Sequence, residues 1–465
     1  MRRAVSTAVA GSLSLVLAAC GGSSHHSAST APAPARSTQA PASTSPSRTA
    51  PARPAPAASE PWPTYHQNGA RTGTVAAGPP LGRVGKLWST PVDGAVYAEP
   101  LIVGGRVIVA TETDSVYALD ATNGRQLWRV RLGTPVSGGS LPCGNIDPSG
   151  ITSTPVADQG GRVVYVVAYR SGFHHVLVAL DAATGAVRFE RSVDPPGADA
   201  TTEQQRAALL FSRARIYVAF GGLFGDCGRY HGWVIGVAAD GSGPLSGYRV
   251  PSENEGAIWA PSGPAVDAAG NLYVATGNGS SSSFDYGNAV IRLSPALQAQ
   301  SFFAPSNAGA MNTTDDDLGS TGPILLPGAK AFIIGKTGVG YLLNTDNLGG
   351  LGAPVPTVEL PPAFGGVAYA AGTLYIPTTD GIAAVRVTGS SLRQAWSQGA
   401  ATLSPIVAGP GVWAMSPDGT LYQLDPHTGA VRYRAPVGEP AHFATPAAAG
   451  GRIYVAAGGA VQAFG

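Results

Sequence analysis

A five-residue turn recurs along this chain, each time with an aromatic residue four positions beyond its glycine. Asp120-Ala-Thr-Asn-Gly124 precedes Trp128, Asp181-Ala-Ala-Thr-Gly185 precedes Phe189, and Asp425-Pro-His-Thr-Gly429 precedes Tyr433. A second pattern alternates with it, a glycine turn that opens an apolar, β-branched run. It occurs at Gly105-Arg-Val-Ile108, Gly161-Arg-Val-Val-Tyr165, Gly270-Asn-Leu-Tyr273, Gly372-Thr-Leu-Tyr375 and Gly451-Arg-Ile-Tyr454. Weaker copies centre on Tyr217, Phe332 and Trp413, which makes eight units. A period of roughly 40 to 60 residues, each unit reading as four short strands A to D, is the signature of radially stacked blades. The expected fold is all-β: a single eight-bladed propeller of four-stranded antiparallel blades.

The two ends of the pattern are complementary. The last unit stops at Ala463-Phe464-Gly465 without a fourth strand, and Lys86-Leu-Trp88-Ser-Thr-Pro-Val92 is a strand without a blade. The N-terminal strand is therefore expected to complete the last blade and close the ring, leaving fewer open edges.

Composition agrees with many turns and few helices. Among 465 residues there are 63 Gly and 39 Pro, and only 12% are charged. A net charge of +1 gives no support to nucleic-acid binding through bulk charge. Three Cys exclude a disulfide-dense mini-fold, a four-cysteine zinc site and a CxxC redox pair, and without CxxCH there is no covalent haem.

The first residues read as an address. Met1-Arg2-Arg3 is basic, and Ala4 to Ala19 is small and apolar but too short for a membrane span. Leu17-Ala18-Ala19-Cys20-Gly21 predicts a lipoprotein signal peptide over 1–19, cleaved before Cys20, with palmitate-type acyl chains on that residue. Residues 20–60 are an Ala/Pro/Ser/Thr-rich linker that cannot bury a core and is expected to be disordered. Fully extended it reaches on the order of 100 Å. The globular part, 61–465, is thus expected on the extracytoplasmic face of the cell membrane. That compartment tolerates disulfides, and Cys143 and Cys227 remain as one possible pair.

In an antiparallel meander the D-to-A and B-to-C loops share one face. The longer ones fall in the first half: Tyr169 to His175, Gly221 to Gly232, Asn278 to Gly287, 134–152 and 304–319. Long loops on a rigid ring are where function sits. That face carries Glu99, Cys143, Asp226, Cys227, Tyr230, His231, Trp259, Asn278, Asp315, Asp316, Asp317 and Lys336. Carboxylates with an amide oxygen can bind Ca²⁺. Trp259 can stack on a flat ligand, and Lys336 can meet an anion or a carbonyl that gains charge. Each also has a structural reading. Three consecutive Asp are commonly solvated, a Trp near a strand start is commonly core, and Asn278 between two glycines suits a left-handed turn. Glu99 suits a partner for buried backbone. His231, His174 and His175 read as ordinary loop polar groups.

The opening Trp62-Pro-Thr-Tyr65-His-Gln-Asn-Gly-Ala-Arg71-Thr-Gly73, with the turn repeats, resembles the eight-bladed propellers of the quinoprotein, PQQ-like superfamily. The resemblance spans about 62 to 465. It is nearest to a bacterial lipoprotein branch of PQQ-like repeat proteins, on Cys143-Gly-Asn-Ile, Tyr230-His-Gly-Trp-Val234, Leu272-Tyr-Val-Ala-Thr-Gly-Asn278, Asp317-Leu-Gly-Ser-Thr-Gly-Pro323 and Gly335-Lys336-Thr-Gly-Val-Gly-Tyr341. By resemblance to the quinoprotein alcohol dehydrogenases, PQQ would stack on Trp259 and meet Lys336. Ca²⁺ would be held by Asn278, Asp317 and Asp226, and Asp317 would be the catalytic base, with Lys336 beside it.

The chain departs from those enzymes in three ways. They carry two adjacent Cys, whereas Cys143 stands alone; Asp316 replaces the Trp before the base; and no haem motif is present. Two functions follow from the resemblance. One is a lipid-anchored module that binds or scaffolds an envelope protein or small molecule. The other is a PQQ- and Ca²⁺-dependent dehydrogenase of an alcohol or sugar. Cys143 and Cys227, on one face of neighbouring repeats, are expected to be bonded, which requires Cα atoms within about 7 Å.

Overall fold

The computed structural model describes residues 60–465. The 1–19 signal peptide, lipidated Cys20 and all but the last residue of the 20–60 linker lie outside the described residues. Eight antiparallel sheets follow one another along the chain. Blade 1 is built from Leu101–Val103, Arg106–Ala110, Ser115–Asp120 and Gln126–Arg131, and blade 2 from Val156–Ala157, Val163–Arg170, His174–Asp181 and Val187–Ser192. The same A-to-D order repeats through blade 7, which ends at Val431–Pro436.

Blade 8 is completed as expected. Lys86–Pro91 pairs antiparallel with Ala460–Phe464, the last strand of the chain. The ring is thereby closed by backbone hydrogen bonds between its two ends.

Burial explains why inner strands read as unbroken apolar runs. Val163–Arg170 is buried at every position but the last, whereas the outer strand Val187–Ser192 alternates or faces solvent. Alternate residues of an inner strand point into different inter-blade cores. In blade 1, Leu101, Ile108 and Ala110 pack against blade 2, while Ile102, Val107 and Val109 join the core shared with blades 7 and 8. An inner strand thus has two buried faces and no polar face to show.

The recurring glycine has two jobs. Gly185 has φ +75°, a conformation that excludes most side chains. In addition, a Cβ on it would lie 2.7 Å from the Trp128 ring of blade 1. Gly124 sits likewise on Trp88, Gly241 on Phe189 and Gly429 on Trp396, always the outer-strand aromatic of the preceding blade. The indole N–H completes the joint: Trp88 donates to the Ala121 carbonyl at 3.3 Å, Trp128 to Ala182 at 3.2 Å and Trp396 to Pro426 at 3.1 Å. The turn and the aromatic therefore belong to an interlock between consecutive blades.

The segment Trp62–Val75 forms a hub. Trp62 bridges Ile102 of blade 1, and the Pro63 carbonyl accepts from Ala157 of blade 2. Arg71 donates to the Leu209 and Pro264 carbonyls at the entries to blades 3 and 4. The carbonyls of Ala70, Thr72 and Gly73 accept from Leu325, Tyr369 and Val407 of blades 5, 6 and 7. The Tyr65 hydroxyl reaches Thr445, ahead of blade 8. One short stretch therefore touches the innermost edge of all eight blades. Glu99 serves it by accepting from the His66 backbone N–H and the Trp62 indole.

Two loop expectations need correction. Tyr169 and His175 face each other within a ladder, because the apolar alternation of blade 2 continues almost to the hairpin tip. His175 is accordingly buried, stacked on Tyr169 and hydrogen-bonded to Asp194, and is not an ordinary loop group.

Candidate functional site

The long loops enclose a cavity of about 830 Å³, within the usual range for small-molecule sites. Its lining comes from the D-to-A connections and from the B-to-C connections with their strand ends. Asp226, Trp259, Asn278, Asp317 and Lys336 all line it. Ser404, also on its wall, is hydrogen-bonded to Tyr65, so the hub lies directly behind.

Asp317 is the most constrained of these residues. It follows the short helix Ala308–Thr314, whose left-handed cap is Asp315. Its Oδ1 accepts the Asn278 backbone N–H at 2.6 Å, its Oδ2 meets Lys336 Nζ at 2.7 Å, and its carbonyl accepts the Lys336 N–H at 2.9 Å. Burial pushes the Asp317 carboxyl up, against the pull of the ammonium. Burial works to lower Lys336, but Asp317 and Asp315 outweigh it and hold the ammonium above its ordinary value. The three consecutive Asp thus have separate fates: Asp315 is exposed and grips Lys336, Asp316 bonds Thr314, and Asp317 is buried.

Asn278 is held by its side chain. Its Nδ2 donates to Asp315 Oδ1 at 2.9 Å, and its Oδ1 accepts from Asn288 at 3.2 Å. The left-handed residues in this loop are Tyr286 and Asn288, so a turn conformation does not account for Asn278. Gly277 beside it is required by proximity: a Cβ there would lie 2.4 Å from Asp317 Oδ1 and 3.0 Å from the Trp259 indole nitrogen.

Trp259 is half-buried and forms a wall with Phe443, their rings 6.1 Å apart. A cation stands over each ring, Lys336 6.0 Å from Trp259 and Arg206 5.6 Å from Phe443. Arg206 donates through Nη2 to Gln204 Oε1 at 3.3 Å, and its buried Nε has no partner among the described residues. Sequence reading missed Arg206, Phe443 and Glu255, which are isolated residues in connections that carry no motif. Burial, followed by repulsion from Asp226, Asp285, Asp317 and Asp315, pushes the Glu255 carboxyl up to about 7.

Cys143 and Cys227 are joined, with Cα atoms 6.2 Å apart. The bond fastens the 223–228 loop, which brings Phe224 and Asp226 to the cavity, to the neighbouring connection that brings Asn145.

A flat group such as PQQ fits the aromatic wall of this lining, where Lys336 and Arg206 can meet its oxygens while Asp226, Glu255, Asp315 and Asp317 also face the cavity. Ca²⁺ does not fit the donor set. Asp226 Oδ1 accepts from the Tyr230 hydroxyl at 2.6 Å, and the Asn278 and Asp317 oxygens accept from the donors already described. Among the described residues no three His, Cys, Asp or Glu side chains are grouped to hold a metal ion.

A family model described as outer membrane protein assembly factor BamB matches residues 81–218 and 379–464. No curated protein is matched in sequence. Among solved structures, the chain is similar to quinohemoprotein alcohol dehydrogenase from Comamonas testosteroni, with TM-score 0.66 and 16% identity over 87% of this chain and 80% of the other. A europium-containing methanol dehydrogenase gives TM-score 0.66 and 16% identity over 86% and 90%. BamB from Moraxella catarrhalis gives TM-score 0.56 and 16% identity over 82% and 97%. At these identities the likeness is one of fold.

Proposed function

We propose that this chain, similar in fold to the PQQ-like β-propellers and matched in part by a family model of them, is an extracytoplasmic binding module whose axial cavity takes a flat, oxygen-rich small molecule, PQQ being the cofactor it fits. The observation that carries this reading is the convergence of Trp259, Asn278, Asp317 and Lys336 on one cavity. Residues scattered over the sequence and drawn to one point need a common purpose that packing does not supply. Trp259 and Phe443 would hold the face of the ligand, and Lys336 and Arg206 its oxygens. The placement outside the cytoplasm, and lipid on Cys20, rest on the first twenty residues of the sequence.

The test is thermal stability of the purified protein with and without PQQ. A rise in Tm with PQQ, lost in Trp259→Ala, supports the reading. No rise in a folded sample overturns it. The description of the matched family model would then direct the search to envelope proteins.

A second reading is favoured by the Asp317–Lys336 pair. PQQ, when bound, would supply a two-electron oxidant. Asp317 Oδ2 would take the hydroxyl proton of an alcohol or sugar, and Lys336 would stabilise charge on an adjacent oxygen. Reduction of a dye by PQQ-loaded protein, abolished in Asp317→Asn with PQQ binding retained, would support it. Dye reduction left intact in that variant removes Asp317 as the base.

A further inference from the structure

We propose that the Lys336 ammonium is the resident cation of the axial cavity, so that the cavity receives its ligand without a divalent metal. This goes beyond the reading above and does not depend on the identity of the ligand.

Ca²⁺ takes six to eight oxygens at about 2.3–2.6 Å. Both Asp317 oxygens, the Asn278 amide oxygen and one oxygen each of Asp315 and Asp226 already accept hydrogen bonds, and among the described residues no three His, Cys, Asp or Glu side chains are grouped to hold a metal ion. Asp315 Oδ1 accepts from both Lys336 Nζ, at 2.6 Å, and Asn278 Nδ2, at 2.9 Å. Asp317 Oδ1 accepts from the Asn278 N–H and Oδ2 from Lys336. Asn278 Oδ1 accepts from Asn288, and Asp226 Oδ1 from Tyr230. A metal would have to break several of these bonds together.

The charges point the same way. Two carboxylates touch one ammonium, whose side chain is 20% exposed, with Asp317 at 9% beneath it. The ammonium answers the charge of Asp315 and Asp317, while Glu255 and Asp226, which also line the cavity, make no ion pair with it. Its position is set by the backbone as well, since the Lys336 N–H is bound to the Asp317 carbonyl.

The remaining valence indicates what the ammonium is for. A lysine ammonium has three donors. Two are committed to Asp315 and Asp317, which leaves the third for a ligand. Lys336 lines the cavity and stands over the Trp259 ring. The chemistry this selects is a carbonyl or carboxylate oxygen on a flat ligand lying against that indole.

The experiment uses Ca²⁺ and Tb³⁺ as probes on the whole protein, with Tm and Trp-sensitised Tb³⁺ luminescence as readouts. In the wild type, millimolar Ca²⁺ and EDTA should leave Tm unchanged, and Tb³⁺ should give no sensitised emission. Lys336→Met leaves Asp315 and Asp317 facing each other, so its Tm should fall by several degrees and Ca²⁺ should restore it. Lys336→Arg keeps the charge and should remain insensitive to Ca²⁺. Stabilisation of the wild type by Ca²⁺, lost in Asn278→Ala, overturns the proposal. So does a Lys336→Met protein as stable as the wild type, or one whose loss Ca²⁺ does not repair. If Lys336→Met does not fold, Lys336→Gln replaces it, and the wild-type Tb³⁺ measurement decides independently.

Discussion

Arg71 donates through Nη2 to the Leu209 carbonyl at 3.2 Å, joining residues 138 positions apart. The same guanidinium bonds the Pro264 carbonyl through Nε, and the Thr64 hydroxyl and Tyr65 carbonyl through Nη1. It is buried, and among the described residues it forms no ion pair with a carboxylate. A planar fork satisfies these acceptors together where an ammonium cannot. Arg71→Met should lower stability by about 3–5 kcal/mol, the cost of orphaning several buried acceptors. Arg71→Lys should rescue little of it. Urea unfolding of both variants is the check; a loss below about 1 kcal/mol would show that the hub does not depend on this strut.

The blade interlock can be tested at one atom. Gly185→Ala places a methyl 2.7 Å from the Trp128 ring and imposes φ +75° on alanine. The expected cost is about 2–4 kcal/mol from strain and displaced packing. The double variant with Trp128→Ala should cost less than the sum of the two singles, because the clash vanishes while the backbone strain stays. Strict additivity in the unfolding free energies would mean that the two residues are not opposed.

Acidification should stabilise the fold over part of the pH range. Burial pushes Glu112 up to about 7, with repulsion from Asp114 adding to it, and burial pushes Asp114 up to about 7 and Glu203 up to about 8. Folded values above the unfolded ones mean that the folded state holds these protons more tightly. The contribution is full below the unfolded value near 4.5 and is lost as pH rises through about 7. Tm should therefore rise between pH 8 and pH 5. Glu112→Gln keeps an acceptor for the Gly150 N–H and removes the charge. It should match or exceed the wild type at pH 8, by about 2 kcal/mol at most, and flatten the slope. An unchanged slope would show that Glu112 does not titrate in this window.

The disulfide closes a span of 84 positions. Loop-closure entropy puts its removal at about 4.5 kcal/mol, before any relaxation of the native state. Cys143→Ser with Cys227→Ser should lower Tm and open the 223–228 loop to proteolysis, while hub and blade closure remain. Cleavage appearing elsewhere first would place the weak point outside the cavity rim.

The repeats were legible because the glycine turn and its aromatic partner are forced by contact, and contact leaves a periodic trace. Closure was legible from the missing last strand. The hub was not. Trp62–Val75 has no alternation, since it bonds the blades through scattered backbone atoms, the Arg71 guanidinium and the Tyr65 hydroxyl, and nothing local marks such partners. The loop face was legible by counting strands, which is why Asp226, Trp259, Asn278, Asp317 and Lys336 emerge as cavity residues. The Asp–Lys geometry was not, because Lys336 and Asp315 meet only after blades 4 and 5 align. Arg206 and Phe443 lie in connections without a motif, and only the fold places them opposite Lys336 and Trp259.

The hub has a consequence for the order of synthesis. Residues 62–75 leave the ribosome before every blade they bind, and Lys86–Pro91 leaves it before its partner Ala460–Phe464 exists. Folding cannot finish while any part of the chain is still being made, because the earliest residues wait on the latest. An interrupted copy is left with an unmated first strand and a hub short of partners, the kind of exposed backbone that proteases and chaperones recognise. The circular architecture therefore acts as a check on completeness, accepting a whole chain and leaving a partial one open to destruction.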